Sequence, residues 1–230
     1  MFISFSQVAK PSLSYKNYAF DVSVSDCGES ESKRSIAIDV GCGEINISNI
    51  NSTCNKCQRI SSINIQIKGD NCKCSFSTFR ENNQSGSESL EVMSEYESLT
   101  QTVSYCNIIG NRCGTGNNEV LFICQYKTDV DHCVFLNNTA VYMFKVCGVD
   151  STLNISYSYV DKNSTAPTSH ALDIVGTINF KNLTENYDSN NNHHFYTEVC
   201  FKELKEISIK ISCFSKFAKT ASPSLLLSSK

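Results

Sequence analysis

Residues 130–138, Val130-Asp131-His132-Cys133-Val134-Phe135-Leu136-Asn137-Asn138, decide the fold. An apolar residue, Val130, stands three before Cys133, and another, Phe135, stands two after it. Asn138 follows at five after, and the ring of His132 immediately precedes. The same set returns around Ser48, Ser77, Cys106, Ser158 and Lys181. Three before those anchors lie Ile45, Cys74, Val103, Ile155 and Ile178; two after lie Ile50, Phe79, Ile108, Val160 and Leu183. Five after come Thr53, Asn82, Asn111, Asn163 and Asn186; one before come Ile47, Phe76, Tyr105, Tyr157 and Phe180. Self-similarity at this period marks a stacked, quasi-one-dimensional fold in which each unit buries its apolar face against its neighbours.

The anchor spacing drifts from 29 down to 23 residues, too loose for a strict helical solenoid. The segments alternate with period two instead, in Ile45-x-Ile47, Ile63-x-Ile65-x-Ile67, Val120-x-Phe122-x-Cys124 and Ile207-x-Ile209-x-Ile211-x-Cys213. Such short runs between Asn, Gly and Ser clusters predict half-buried strands. The best helical stretch, Ser87 to Leu99, fits a strand as well through Leu90 and Val92. Within one repeat the two apolar positions differ in parity, so a flat strand would send them to opposite faces. A corner just before the anchor removes the conflict. A further strand returns across each repeat, as in Val120 to Cys124, Tyr142 to Val146 or Ala171 to Val175. Three strands and three corners in about 25 residues make one coil of a parallel β-helix. Asn suits such corners because it tolerates left-handed backbone, and its amide can bond to the Asn one coil away. The ring column predicts corner packing, with sugar stacking as the rival use.

The stretch Val130 to Asn138 resembles the I-x-N-C-x-F-x-x-N motif of right-handed parallel β-helix proteins, the pectate-lyase-like superfamily. Cys106-x-Ile108-x-x-Asn111 and Ser77-x-Phe79-x-x-Asn82 echo it. The Cys/Asn/Ser-rich texture is similar to uncharacterised β-helix surface proteins of parasitic protists. The resemblance covers residues 36 to 215 and implies right-handed winding. Members of the superfamily include lyases, hydrolases, adhesins and other surface proteins, so it does not choose an activity. It implies an extracellular or cell-surface setting, with host or self surface glycans or proteins as partners.

Composition narrows the field. The 230 residues carry a net charge of −3, and the 20 Lys and Arg form no cluster, which removes the electrostatic basis for nucleic-acid binding. No apolar run is long enough to span a bilayer, and Met1 to Gln7 does not read as a signal peptide. A truncated piece of a larger surface protein would look the same. The 13 cysteines suit either disulfides or small apolar core residues. Cys74, Cys106 and Cys133 occupy repeat positions and are expected to be buried thiols. Sequons stand at Asn46, Asn51, Asn83, Asn137, Asn154, Asn163 and Asn182.

Chemistry is sparse. A polysaccharide lyase or hydrolase needs carboxylates converging from neighbouring coils. The candidates are Glu119, Asp129, Asp131, Asp161 and Asp173, yet no column holds two acids on adjacent coils, and solvated surface acids are expected. Cys54, Cys57, Cys72 and Cys74 are a weak zinc candidate, since two close thiolate pairs suit tetrahedral metal but the second pair is one residue too tight. Local disulfides and packed or exposed thiols are the alternatives. His132 is expected to pack in the ring column, while His170, His193 and His194 have no visible partners. No catalytic residue and no cofactor are assigned. The expectation is an all-β chain, a single right-handed parallel β-helix of about seven coils: residues 1–35 a cap or irregular first coil, 36–217 the helix, with Ile207 to Phe217 its last coil, and 218–230 a tail; Lys202, Lys205, Lys210, Lys216 and Lys219 are expected to discourage strand addition at the terminal edge. Its expected role is non-catalytic adhesion or glycan or protein binding, with a polysaccharide lyase or glycoside hydrolase as the alternative.

Overall fold

The structure, a computed structural model, describes residues 3–7, 16–26, 36–40, 44–57, 63–67, 72–84, 88–94, 99–113, 120–161 and 176–187. All of them belong to one compact unit, Met1–Phe195; the second, Tyr196–Lys230, lies outside the described residues, as do Ala171 to Val175 and Ile207 to Phe217. The described residues contain strands and no helix. In chain order the strands are β1 (Ile3–Gln7), β2 (Lys16–Ser25), β3 (Ile36–Val40), β4 (Glu44–Thr53), β5 (Lys56–Cys57), β6 (Ile63–Ile67), β7 (Cys72–Ser75), β8 (Thr78–Arg80) and β9 (Asn83–Gln84). There follow β10 (Glu88–Ser94), β11 (Thr100–Ser104), β12 (Asn107–Ile109), β13 (Val120–Asp131), β14 (Val134–Leu136), β15 (Tyr142–Ser156), β16 (Tyr159–Val160) and β17 (Thr177–Lys181).

Every strand pairing is parallel and joins strands one coil apart. This is a parallel β-solenoid with three sides. The first carries β1, β3, β6, β10 and the leading halves of β13 and β15. The second carries β2, β4, β7, β11, the trailing halves of β13 and β15, and β17. The third carries β8, β12, β14 and β16, with the ends of β2 and β4 beneath. About four turns are closed in this way, not seven; those with their own short third strand are β6–β8, β10–β12, β13–β14 and β15–β16. The larger number assumed a terminal coil at Ile207 to Phe217, beyond the described residues.

The apolar pile on the third side is in register. Phe79 pairs with Ile108, Ile108 with Phe135, and Phe135 with Val160. Phe135 meets Phe144 at 5.0 Å and Phe122 at 6.2 Å between ring centres, both edge-on, which closes the core between the first and third sides. The first side is buried on both of its surfaces: Phe122 and Cys124 point inward, and Leu121 and Met143, of opposite parity, are buried too. That explains the unbroken apolar run Val120-Leu121-Phe122-Ile123-Cys124, a signature of strands covered on two faces.

The corner before the anchor is where parity demanded it. Asp21, Asn49, Phe76, Tyr105, His132, Tyr157 and Asn182 form one column of left-handed residues, with φ between 47° and 57°. Phe76, Tyr105, His132 and Tyr157 turn their N–H to a carbonyl of the next coil, as Phe76 N to Ser104 O and Tyr105 N to Asp131 O. The anchor side chain then answers a buried N–H. Ser77 Oγ accepts from Ile50 N at 3.1 Å, Cys133 Sγ from Cys106 N at 3.4 Å, and Ser158 Oγ from Cys133 N at 3.0 Å. Each anchor also donates to the carbonyl two residues back, as Ser77 does to Ser75 and Cys133 to Asp131. A small side chain that both donates and accepts is what the position needs, so Ser and Cys interchange there.

A second corner has left-handed Asp26, Cys54, Glu81, Gly110 and Asn137, and a buried asparagine follows all but the first. Asn55, Asn82, Asn111 and Asn138 are joined by their side chains. Asn82 Oδ1 takes both the N–H and the Nδ2 of Asn55 at 3.1 Å. Asn111 Oδ1 does so for Asn82, and Asn138 Oδ1 for Asn111. Each Nδ2 also donates to a carbonyl of a lower coil, Asn111 to Phe79 O at 2.8 Å and Asn138 to Ile108 O at 2.7 Å.

Two repeats differ from the sequence alignment by two residues. Cys74 pairs with Ile47, not Ile45, and Ile155 pairs with Phe180, not Ile178. Accordingly Asn55, not Thr53, joins the amide ladder; Ser52, not Ile50, lies under Phe79; and Leu183 is an exposed residue beyond the pile. A slip of two preserves period-two parity, so apolar alternation cannot detect it. The left-handed residues Asn49 and Asn182 carry the register instead. Asn186 is likewise exposed, and Asn163 lies outside the described residues.

Replacing Asn111 by Ala removes the acceptor shared by the buried Asn82 N–H and Nδ2, and one donor to the Phe79 carbonyl. We expect a loss of about 4 kcal/mol, read as a fall in melting temperature of about 10 °C. Asn137→Ala, on the exposed corner beside it, should cost about 1 kcal/mol, through backbone strain.

Candidate functional site

The outer surface of the second side carries polar side chains in registered columns. Alternation turns Val103, Val130 and Ile155 inward and leaves their neighbours outside. Three outward columns result: Thr100, Lys127, Thr152 and Thr177; Lys73, Thr102, Asp129, Asn154 and Asn179; Ser75, Ser104, Asp131, Ser156 and Lys181. They are cross-linked along the axis. Asn154 Nδ2 donates to Asp129 Oδ1 at 2.7 Å, Asn179 Nδ2 to Asn154 Oδ1 at 2.9 Å, and Ser156 Oγ to Asp131 Oδ1 at 2.8 Å. Parallel strands lie about 4.8 Å apart, so a polar side chain recurs at that interval in each column.

The ring column borders this surface. Phe76 stacks on Tyr105 at 5.2 Å, Tyr105 on His132 at 4.9 Å, and His132 on Tyr157 at 5.3 Å, with planes within 19° of parallel. Each ring sits on a left-handed residue, a conformation that costs about 1–2 kcal/mol for a residue with a side chain. Stacking offsets part of that cost, at about 0.5–1.5 kcal/mol per pair. His132 Nδ1 also lies 2.6 Å from Asp131 Oδ2. The rings are about half exposed, but by their edges, because the inner ring faces are occupied by the next ring. Sugar stacking needs an open ring face, so the geometry favours corner packing over a sugar-stacking stripe. Phe180 is not in this column: it points inward and meets Phe144 edge-on at 6.1 Å.

Of the acids singled out by sequence, Asp129 and Asp131 point outward from one strand, each already bonded as above. Asp161 is not a solvated acid. It is buried, and its Oδ2 accepts the Asn137 N–H at 3.3 Å. Glu119 and Asp173 lie outside the described residues, as do His170, His193 and His194. Of the weak zinc candidates, Cys72 and Cys74 are buried on one inward face. Cys54 sits at the second corner with its Sγ 3.6 Å from Glu81 Oε2, and the Cys57 side chain is outside the description. Among the described residues no three His, Cys, Asp or Glu side chains converge as a metal site. Sequence reading missed Asn55 as a ladder member; its signal was the 27-residue spacing to Asn82, matched by Asn111 to Asn138.

Eight described cysteines are free thiols, and Cys72, Cys74, Cys106, Cys113, Cys124 and Cys133 are buried. Burial in an apolar core pushes the Cys124 thiol up to about 12. Burial also raises Cys72 and Cys106 well above the ordinary thiol value, Cys106 further through its bonds to Cys133 and Cys74. Cys54 is raised as well, by burial first and then by the Glu81 carboxylate. The buried thiols Cys72, Cys106 and Cys124 pack and are held protonated, which suppresses their reactivity as nucleophiles.

No family model, no curated protein and no solved structure matches the chain. Among the described residues no helix is long and apolar enough to cross a membrane.

The thiols yield a pH dependence with a defined sign. In the unfolded chain a cysteine ionises near 8.5, whereas in the fold Cys124 stays protonated to about 12. The stabilisation is complete below about pH 8.5 and is lost progressively as pH rises toward 12. Melting temperature should therefore fall from pH 8.5 upward. At pH 8 an alkylating reagent should label Cys54 and Cys147 and leave the six buried cysteines unlabelled until unfolding, read by peptide mass.

Proposed function

We propose that the chain is a non-catalytic interaction module that presents the outer second side to surface proteins or glycans. The observation that carries this is the registered array on that side: hydroxyl, amide and carboxylate groups held at coil spacing by their own cross-links and edged by stacked rings. A rigid surface rich in Tyr, Ser, Thr and Asn binds at low cost in side-chain entropy. We read the winding as right-handed and the chain as akin to the pectate-lyase-like β-helix proteins, including the Cys/Asn-rich surface proteins of protists. The support is the Ser/Cys anchor, the apolar pile and the amide ladder, recurring in the order of that motif.

A second reading, polysaccharide lyase or glycoside hydrolase, draws on Asp129 and Asp131. Two residues apart on one strand, they place their side chains about 7 Å apart, close to the separation used by inverting glycosidases. Against it, both acids come from a single strand and are tied into hydrogen bonds.

Arrays of glycans and of surface proteins probed with the folded chain, beside a panel of acidic and neutral polysaccharide substrates, separate the two. The module predicts binding that Asn154→Arg weakens at least tenfold without lowering the melting temperature, and no turnover. Polysaccharide cleavage abolished by Asp129→Asn with Asp131→Asn would establish the enzyme instead.

A further inference from the structure

We propose that the second side recognises a second copy of this chain, the two outer faces meeting antiparallel across a two-fold axis at Thr102 and Ser104. The proposal rests on the reading of that side as a recognition surface and names its partner. Two of the outward columns run further than Lys73 and Ser75: Asn46 and Tyr18 continue the first, Ser48 and Phe20 the second. Thr102 and Ser104 stand at the middle of these columns, with three positions on either side. Opposite charges fall on opposite sides of that middle. Lys73 lies one position before Thr102, and Asp129 one position after it. Lys73 is exposed and, among the described residues, makes no ion pair. Asp129 gives Oδ1 to Asn154, and a carboxylate has a second oxygen to offer.

A two-fold axis lying in the face and running along the strands keeps each column on itself and inverts the order of its positions. Lys73 of each copy then meets Asp129 of the other, so the contact is made twice. Further out Asn46 meets Asn154 and Ser48 meets Ser156, pairs able to hydrogen-bond. At the ends Phe20 meets Lys181, a cation over a ring, and Tyr18 meets Asn179. Tyr18 is 56 % and Phe20 49 % exposed, aromatic side chains on an otherwise polar face, and the pairing gives both a partner. No like charges meet at the described positions. An axis running along the columns would instead set Lys73 on Lys73 and Asp129 on Asp129, which repulsion disfavours. Strands about 4.8 Å apart and residues about 3.3 Å apart make the face about 29 Å by about 17 Å. That is roughly 1,000 Å² over both copies, the size of a weak, reversible interface.

Sedimentation velocity of the full chain across a hundredfold range of concentration tests this. The mean mass should climb from 25.5 kDa toward twice that value and stop there, because a two-fold contact closes on itself. Lys73→Glu alone, or Asp129→Lys alone, sets like charges against each other twice and should weaken association at least tenfold. An equal mixture of the two variants restores both pairs in the mixed dimer and should associate like the wild type. Melting temperatures close to that of the wild type show that each variant is folded. A chain that stays monomeric, a mass that climbs past a dimer, a single variant that associates like the wild type, or a mixture no stronger than its components overturns the proposal. If the chain is monomeric while glycan or protein arrays report binding that Asn154→Arg weakens, the second side recognises another molecule and this inference alone fails. If the arrays are silent as well, the reading of that side fails with it.

Discussion

One constraint organises the molecule: at two corners of the coil a residue enters left-handed backbone, and the N–H groups this turns toward the interior must find partners one coil away. A buried unpaired N–H costs as much as a lost hydrogen bond and more. At the first corner the partner is the Ser or Cys anchor, and at the second it is the Asn55–Asn82–Asn111–Asn138 ladder. Each solution also fixes axial register, because an amide or hydroxyl can answer the next coil only when the two lie directly over one another. The apolar pile of Phe79, Ile108, Phe135 and Val160 then packs without offset. Burial supplies most of the driving force, and the corners decide which arrangement it stabilises.

Much of this was legible in the residues. The corner before the anchor follows from the parity conflict between Val130 and Phe135, and the in-register pile follows from their recurrence. What the residues hid is equally physical. Ile45 and Ile47, like Ile178 and Phe180, are apolar and share a face, so nothing in the pattern distinguishes one register from the next. The asparagines were also assigned the left-handed role, whereas the ladder members are ordinary in backbone and their predecessors Cys54, Glu81, Gly110 and Asn137 carry the positive φ. The outward burial of Leu121 and Met143 could not be inferred from a run that fits one covered face or two.

The polar surface of the second side was the least legible feature. Thr102, Asp129, Asn154 and Asn179 have unremarkable composition and reveal themselves as a column only when register is known. That surface inherits its regularity from the interior: the same stacking that aligns Val103 with Val130 aligns Thr102 with Asp129. The proposed binding surface is thus a by-product of the register that folding requires. Two of the six buried thiols fit the same logic: Cys133 accepts a backbone N–H and donates two residues back as Ser77 and Ser158 do, and Cys106 makes the same backward donation.

Native-state hydrogen exchange at the backbone amides of Asn55, Asn82 and Asn111 tests the central claim most directly. If the ladder holds the coils in register, these amides exchange only through global unfolding, with protection equal to that of the core strands. Protection no greater than that of exposed corner amides would contradict it.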